Sequence, residues 1–407
     1  HLSLRRQRQM CIRDRSCRSL TTVVVICAAL RSPMTRAMKG GLSQIAPEEL
    51  LGLVFKALIA KTGVDPKLVE DVCVGNVLPP GGGATTARQA ALWAGLPNTT
   101  AVNSVNRQCS SGLTSVNNIA NQILSGQIDI GIGAGVESMS LYYAPSYSLP
   151  AKMSERVMEN EEAADCWMPM GVTSENVANN FHVDRARQDE FAAKSFQKAE
   201  AAQKAGKFES EIVPITYTDD EGNERKVTKD DGIRQGVTKE SLAKLKPVFA
   251  ENGTTHAGNA SQVTDGAAGV LLARRSVAKK YGLPILAKYC GGVVAGVPPN
   301  IMGVGPAYAI PKLLEKAGLK TTDIDIFEIN EAFASQALYS IEKIGLDISK
   351  VNPVGGAIAI GHPLGCTGSR QIATALAEAK RENKKFIVTS MCIGTGMGMA
   401  ALIINEQ

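Results

Sequence analysis

The apolar positions of the chain form a pattern that occurs twice. One short apolar run, residues 72–76, follows a segment with a glycine typical of a helix end, and a second run, residues 326–330, follows a similar segment. Each run has the length and composition of a buried strand and ends at an asparagine. The pattern predicts two copies of one helix–strand unit.

Both copies continue in the same way, with a helix followed by a strand. Apolar residues at helical spacing precede the apolar runs 128–134 and 386–390, and they are Leu113, Val116, Ile119 and Ile123 in one copy and Ile372, Leu376 and Ala379 in the other. We therefore expect a duplicated strand–helix–strand unit, with parallel sheets covered by helices on both faces.

The two copies differ in where the next strand begins. Strand 386–390 turns directly into strand 399–404, whereas the counterpart in the first copy, strand 267–272, begins more than 120 residues after its neighbour. We predict an N-terminal half over 20–138, an inserted loop domain over 139–262, a return over 263–285 and a C-terminal half over 286–407. The insertion is expected to cover a site at the strand ends. An independent domain without a role at the site is the alternative.

Charge separates the first residues from the rest of the chain. The 407 residues carry a formal net charge of +5, but residues 1–40 alone carry +8 and the remainder −3. A nearly neutral body gives no support for a nucleic-acid-binding surface. Residues 1–19 show no apolar period and are taken as a head outside the fold, either a leader or foreign sequence. The run 20–30 is too short to span a bilayer and predicts a first buried strand.

The cysteines and histidines do not have metal-site spacing. The nine cysteines are irregularly placed and include no Cys-x-x-Cys pair, and His182 and His256 have no partner at ligand spacing. We therefore expect neither a disulfide framework nor a metal site.

Cys109 and His362 occupy comparable positions in the two copies. Each precedes the helix of its unit, and His362 follows an apolar run, 354–360, that resembles the end of a buried strand. A helix start is expected to lower the pKa of the Cys109 thiol. If the two halves pack together, the two side chains form a nucleophile and its base. Taken singly, a histidine or cysteine at such a position is more often an ordinary buried residue.

Two more residues lie at the same predicted edge. Cys392 opens a glycine-rich turn, 392–398, and its thiol is a candidate proton donor. Asn330 ends a strand, where an amide can hold a water or an oxyanion. A tight turn with an incidental cysteine and a strand-ending asparagine are the plainer explanations.

Four motifs together resemble the thiolase family, from about residue 22 to the end of the chain. They are Asn106-Arg-Gln-Cys-Ser-Ser-Gly-Leu113, Asn330-Glu-Ala-Phe333, Gly361-His-Pro-Leu-Gly365 and Cys392-Ile-Gly-Thr-Gly-Met-Gly398. Cys366 and Pro169 are similar to the peroxisomal 3-ketoacyl-CoA thiolases rather than to biosynthetic acetoacetyl-CoA thiolases. The resemblance implies the thiolase-like α/β fold, two duplicated halves in αβαβα layers with an inserted loop domain.

The resemblance also implies roles for named residues. Cys109 is expected to be the acylated nucleophile, His362 its base and Cys392 the second acid/base. Asn330 with His362, and the backbone N–H groups of Cys109 and Gly394, are expected to form two oxyanion holes. The residues expected to line the substrate channel are Ser261, Met170, Ala332 and Phe333.

The implied activity is thiolytic cleavage of 3-ketoacyl-CoA by CoA, the last step of fatty-acid β-oxidation, through an acyl-cysteine. The alternatives are a biosynthetic acetoacetyl-CoA thiolase and a non-enzymatic acyl-CoA or lipid carrier. CoA and 3-ketoacyl-CoA are the expected partners, without a metal or other cofactor, and a homodimer is expected. The resemblance implies a peroxisomal location, with the mitochondrial matrix or cytoplasm as alternatives.

Overall fold

One mixed sheet of ten strands runs through the part of the chain that the structure, a computed structural model, describes, residues 23–143 and 153–407. A separate two-stranded hairpin consists of the sixth and seventh strands. The strands are β1 (Val24–Arg31), β2 (Thr35–Arg36), β3 (Asp71–Gly75), β4 (Ala101–Val105), β5 (Ile130–Glu137), β6 (Ile215–Thr218), β7 (Glu224–Val227), β8 (Thr264–Arg274), β9 (Ala287–Gly296), β10 (Ile326–Ile329), β11 (Phe386–Ile393) and β12 (Met397–Asn405).

Helices connect these strands and lie on both sides of the sheet. Those in the described ranges are α1 (Pro47–Thr62), α2 (Ala84–Trp93), α3 (Ser111–Ser125), α4 (Met139–Tyr142), α5 (Glu155–Met158), α6 (Glu161–Asp165), α7 (Met170–Asn180), α8 (Arg185–Lys204), α9 (Lys239–Ala243), α10 (Arg275–Lys280), α11 (Gly305–Ala317), α12 (Ala334–Ile344), α13 (Ala357–Ile360) and α14 (Thr367–Arg381). As the sequence predicts, α1 and α11 each end at a glycine in the left-handed conformation, Gly63 and Gly318.

The two halves of the sheet repeat one strand order. From the outer edge inward the order is β4-β3-β5-β8-β1 in one half and β10-β11-β12-β9 in the other. A lone parallel bridge between Phe327 and Val351 takes the place of the missing edge strand. The predicted duplication is confirmed. The prediction of parallel sheets is wrong in part, because β8 and β12 return antiparallel to β5 and β11.

Alternate residues of the strands face different layers. In β12, Met399 and Ala401 belong to a core shared with α3 and α14, whereas Ala400 and Leu402 pack with α11 and α12. In the other half, Val25 of β1 packs with α1 while Ile26 faces the shared core. The helices α3 and α14 therefore lie between the two sheet halves. This gives the predicted αβαβα layering.

The sheet halves join through few residues and are held together mainly by the shared core. Strands β1 and β9 pair only at Val25–Lys288 and Ile26–Ala287. The core between them contains, from the two helices, Leu113, Val116, Ile119, Ile123, Ile372 and Leu376. Burial of such side chains contributes about 1.5–3 kcal/mol each. Packing of α3 against α14 thus fixes the relative position of the halves.

The chain between Glu137 and Thr264 leaves the sheet between two neighbouring strands and returns to it. Its helix α8 shares a buried cluster with Ile358 and Ile360, which lead into His362. Buried Arg31 of β1 donates to Glu211 at 2.6 Å and to both oxygens of Asp230, at 2.6 and 2.9 Å. Such a buried network binds the segment firmly, since removing one member would leave an unpaired charge. The domain boundaries stay predictions.

Two predicted elements near the ends of the repeat differ from the structure. The apolar run 354–360 is not a strand but includes the short helix α13, whose residues are all buried. A short run that is apolar on every side has no period to distinguish helix from strand. The first strand starts at Val24 rather than at residue 20, and residues 1–22, including the predicted head, lie outside the described residues. Among the described helices, none has the length and apolar character needed to cross a membrane.

Candidate active site

His362 lies in a buried loop between α13 and α14. Gly361 has φ of +113°, and a Cβ there would collide with Thr264, so the turn into His362 requires glycine. The backbone N–H of His362 donates to the carbonyl of Gln262 at 3.1 Å. Only 5% of the histidine is exposed. The loop therefore holds the imidazole inside the protein, away from bulk water.

Two side chains set the orientation of the His362 ring. Its Nδ1 lies 2.6 Å from Oγ1 of Thr367, and its Nε2 lies 3.4 Å from Nδ2 of Asn330. Because the Asn330 NH₂ group is a donor, we assign Nε2 as the unprotonated nitrogen. Nδ1 then carries the proton and donates it to Thr367. Burial, and then the positive charge of Arg370, lowers the pKa of His362 to about 3. The imidazole is thus neutral and can accept a proton at Nε2.

Cys109 lies two residues before α3, in a turn held by local hydrogen bonds. The N–H of Gln108 donates to Asn106 at 2.9 Å, and Oγ of Ser111 donates to the Gln108 carbonyl at 2.6 Å. Cys109 is half-buried as a whole residue, although its thiol group lies inside the protein. The backbone N–H groups of Gly394 and of Cys109 itself lie near enough to the sulfur to lower the pKa of the thiol. Two backbone N–H groups beside one sulfur are the kind of donors that an oxyanion hole uses.

The expected lowering of the Cys109 pKa is wrong. Burial raises the pKa of the thiol to about 11, opposed by the two N–H donors and increased further by the charge of Glu137. A helix N-terminus contributes about 0.3–1 kcal/mol, which is less than one pKa unit. Desolvation therefore outweighs it. Cys109 therefore rests as a thiol and would need a base to become a thiolate.

Cys392 is the second-to-last residue of β11 and lies two residues before Gly394. Its pKa is raised well above the ordinary value, first by burial and then by the charge of Cys109. The second effect shows that the two sulfurs lie within electrostatic reach of each other. The side chain is fully buried in a small cluster with Met302, Ala332 and Phe333. Cys392 consequently stays protonated and is able to give a proton.

The remaining predicted residues surround Cys392, with one exception. The N–H of Asn330 donates to the Ser390 carbonyl at 2.9 Å, and the N–H of Ser261 donates to the Ala332 carbonyl at 2.9 Å. Met170 instead begins α7 and is 36% exposed, outside the buried cluster. Its helix packs on the turn Pro299–Val304, which carries Met302. The structure thus brings the polar residues together and places Met170 at the outer rim.

Glycine positions allow the two halves to approach at this site. A Cβ on Gly112 of α3 would lie 2.6 Å from the Gly365 carbonyl oxygen, and a Cβ on Gly365 would lie 2.5 Å from Cα of Asn76. No larger residue fits this crossing without moving backbone. The crossing brings the turn with Cys109 and the loop with His362 together.

Sequence reasoning missed two residues that shape the site. Thr367, which orients His362, gave no signal beyond its place at a helix start. Glu137 is buried at the end of β5, where its carboxylate accepts three backbone N–H groups. A single acid that ends the otherwise apolar run 130–137 was a signal that could have been used. In the described ranges, no group of three or more His, Cys, Asp or Glu side chains is placed to hold a metal ion.

The fold and the site define a thiolase. The family model for the thiolase N-terminal domain matches residues 24–276, and that for the thiolase C-terminal domain matches residues 283–405. Together they cover most of the chain, and the chain belongs to the thiolase family.

Named relatives are similar along almost the whole length. A peroxisomal 3-ketoacyl-CoA thiolase of Yarrowia lipolytica is 59% identical over 94% of this chain and 93% of its own length. The human peroxisomal 3-ketoacyl-CoA thiolase is 54% identical over 93% of this chain and 90% of its own. The crystal structure of the dimeric peroxisomal thiolase of Saccharomyces cerevisiae matches with a TM-score of 0.89 and 54% identity, covering 94% of this chain and 98% of that one.

Proposed function

We propose that this protein is a 3-ketoacyl-CoA thiolase. It cleaves 3-ketoacyl-CoA with CoA to give acetyl-CoA and an acyl-CoA two carbons shorter, the last step of β-oxidation. Relatives with this name are similar over nearly the whole chain. The observation that supports the proposal most directly is the close crossing of Gly112 and Gly365, which brings the turn with Cys109 and the loop with the neutral imidazole of His362 together, with the Cys392 thiol near enough to Cys109 for their charges to interact.

The first half-reaction starts with proton transfer from Cys109 to Nε2 of His362. The thiolate attacks the ketone carbon of the substrate, and the new oxyanion is held by the N–H groups of Cys109 and Gly394. The bond between the second and third carbons breaks, and its electron pair forms the enolate of acetyl-CoA. Cys392 protonates the enolate carbon, leaving an acyl thioester on Cys109.

The second half-reaction returns each group to its starting state. The Cys392 thiolate takes the proton of incoming CoA, whose sulfur attacks the acyl thioester. The tetrahedral intermediate collapses with Cys109 as the leaving group, and the proton held by His362 returns to that sulfur. Asn330, through a bound water, and the protonated His362 stabilise the enolate oxygen in the first half-reaction. No metal or redox cofactor takes part.

Thiolysis kinetics against chain length test this function. We expect turnover of 3-ketoacyl-CoA substrates with chains longer than the four-carbon one, with acetyl-CoA and the shortened acyl-CoA formed in equal amounts. Turnover of the four-carbon substrate alone would favour a biosynthetic acetoacetyl-CoA thiolase. Binding of acyl-CoA without cleavage would show an acyl-CoA carrier and reject the proposal.

We also propose a peroxisomal homodimer. The relatives from Yarrowia lipolytica and human are named peroxisomal, and the solved yeast relative is described as dimeric. Strand β4 supports an association of two copies, because it lies at the edge of the sheet and its residues are exposed or half-buried. Light scattering of the purified chain at micromolar concentration should give twice the monomer mass of 43.0 kDa. A mass of one chain would contradict the dimer.

A further inference from the structure

Glu137 is a buried carboxylate that accepts hydrogen bonds from backbone N–H groups and is not paired with a basic side chain. Its Oε1 accepts the N–H of Leu78 at 3.0 Å, and its Oε2 accepts the N–H groups of Val77 at 3.0 Å and Gly365 at 2.9 Å. None of its surface is exposed. Within the described chain, no Lys, Arg or His forms an ion pair with it. Burying an ionisable acid costs free energy. The presence of Glu137 is therefore best explained if its three hydrogen bonds to the backbone hold a segment that the protein needs in place.

One of these bonds crosses between the halves. Val77 and Leu78 follow β3 in the half that carries Cys109, whereas Gly365 lies three residues after His362 in the other half. The Gly365 backbone fits against Asn76 without space for a Cβ. The loop with His362 therefore has no space to shift along the backbone of Asn76. The hydrogen bond from the Gly365 N–H to Glu137 restricts the movement that remains.

A second buried carboxylate anchors the loop at its beginning. Glu331 accepts hydrogen bonds from Ser195 at 2.6 Å, from Asn352 at 2.7 Å and from the N–H of Ile358 at 3.2 Å. These partners lie in the C-terminal half and in α8. Glu331 therefore positions the loop with His362 relative to the rest of the C-terminal half. Glu137 is the carboxylate that sets it against the half with the nucleophile.

We propose that Glu137 is a positioning residue that holds His362 at the correct distance from Cys109 through the Gly365 N–H. This inference rests on the proposed function of His362 as the base. Three N–H donors need the two oxygens of a carboxylate. A glutamine has one oxygen, and its NH₂ group would face a donor. A displacement of about 1 Å at a reacting group can reduce a rate roughly 10²-fold.

The first experiment compares Glu137→Gln in the full chain with the wild type. We expect kcat for thiolysis to fall 10- to 100-fold or so with KM within about twofold, because the base moves while the substrate surfaces stay. Glu70→Gln is the matched control. Glu70 accepts the N–H groups of Asp129 and Ile130 at the opposite end of β5, and its exchange should leave kcat unchanged. An unchanged kcat in Glu137→Gln would overturn the proposal.

The second experiment needs no substrate, so it remains decisive if the proposed function fails. The alkylation rate of Cys109 by iodoacetamide is measured by peptide mass spectrometry in wild type, Glu137→Gln, His362→Asn and the double variant. If Glu137 acts through His362, Glu137→Gln slows alkylation in the wild type but has no effect in the His362→Asn background. Equal slowing in both backgrounds would show a general structural role and overturn the proposal.

A variant that retains the charge is used if Glu137→Gln does not fold. Glu137→Asp keeps the carboxylate but shortens its reach by one methylene group. If Glu137→Gln is not soluble, Glu137→Asp takes its place in both experiments, with the same expected fall in kcat and the same dependence on His362. A Glu137→Asp protein with wild-type kcat would contradict the proposed role.

Discussion

The two halves carry the same topology but hold their reactive residues in different ways. Cys109 lies in a short turn whose hydrogen bonds come from its immediate neighbours, and the residue is half-buried. His362 lies in a buried loop whose contacts come from distant residues, among them Gln262, Thr367 and Asn330. The proposed nucleophile is thus positioned by its neighbours in the sequence, and the proposed base by residues far from it in the sequence. A substitution of Cys109 should therefore change activity without changing stability, whereas a substitution of His362 should change both.

Replacing Cys109 should give the largest change in activity and almost none in stability. We expect Cys109→Ala to lose thiolysis by at least about 10⁴-fold, as when other enzymes lose a covalent nucleophile. The free energy of unfolding should change by less than about 1 kcal/mol, because the residue is half-buried and its turn does not depend on the sulfur. Steady-state kinetics and urea unfolding measure the two quantities. Cys166→Ala is the control, and equal losses in both variants would argue against an acyl-Cys109 intermediate.

Replacing His362 should reduce both quantities. We expect His362→Ala to lower kcat roughly 10²–10⁴-fold through loss of the base. The same change leaves Thr367 and Asn330 facing a buried cavity, which should destabilise the fold by about 2–4 kcal/mol. The measurements are those used for Cys109. A His362→Ala protein as stable as the wild type would remove the contrast between the halves.

A smaller effect is expected from Thr367, which orients the imidazole without touching substrate. Thr367→Val keeps the shape but removes the acceptor of the Nδ1 proton. We expect kcat to fall roughly tenfold, which corresponds to about 1.4 kcal/mol, while KM stays within about twofold. Thr367→Ser, which keeps the hydroxyl, should restore most of kcat. If valine and serine behave alike, the hydroxyl does not set the ring orientation.

The smallest expected effect is on the pH dependence of stability, to which the buried side chains of His362 and Glu137 contribute in opposite directions. Burial lowers the pKa of His362 to about 3, so its contribution to stability is present above its unfolded pKa of about 6.5 and is lost as pH falls. Burial raises the pKa of Glu137 to about 7, so its contribution is present below about pH 4.5 and is lost as pH rises through 7. The stability advantage of wild type over Glu137→Gln should therefore be larger at pH 5 than at pH 8. Urea unfolding at the two pH values measures it, and an advantage that grows with pH would contradict the assigned pKa direction.

Local pattern was sufficient to predict much of the fold and to place the candidate site residues within it. Helix α3 has its apolar face at Leu113, Val116 and Ile119 and ends at Gly126, as periodicity predicts. The duplicated pattern also placed Cys109, Asn330 and His362 at one edge of the sheet. These predictions succeed because each depends on residues within one strand–helix unit.

Long-range contacts explain what the sequence could not provide. The thiol pKa of Cys109 depends on burial in the folded chain, which outweighs the nearby helix start that the sequence shows. Glu137 acts on a loop 228 residues away in sequence, so no local pattern pairs it with Gly365. The segment before His362 forms a helix because it is buried between α8 and the C-terminal half, although its residues alone suit a strand equally well.

The measurement that tests the central claim most directly is the mass of the Cys109 peptide after a single turnover. Wild-type protein is mixed with a 3-ketoacyl-CoA in the absence of CoA, quenched in acid and digested. The account predicts one acyl group, two carbons shorter than the substrate chain, on the peptide that contains Cys109, and its loss when CoA is added before the quench. An unmodified Cys109 peptide from protein that turns over fully with CoA would contradict it.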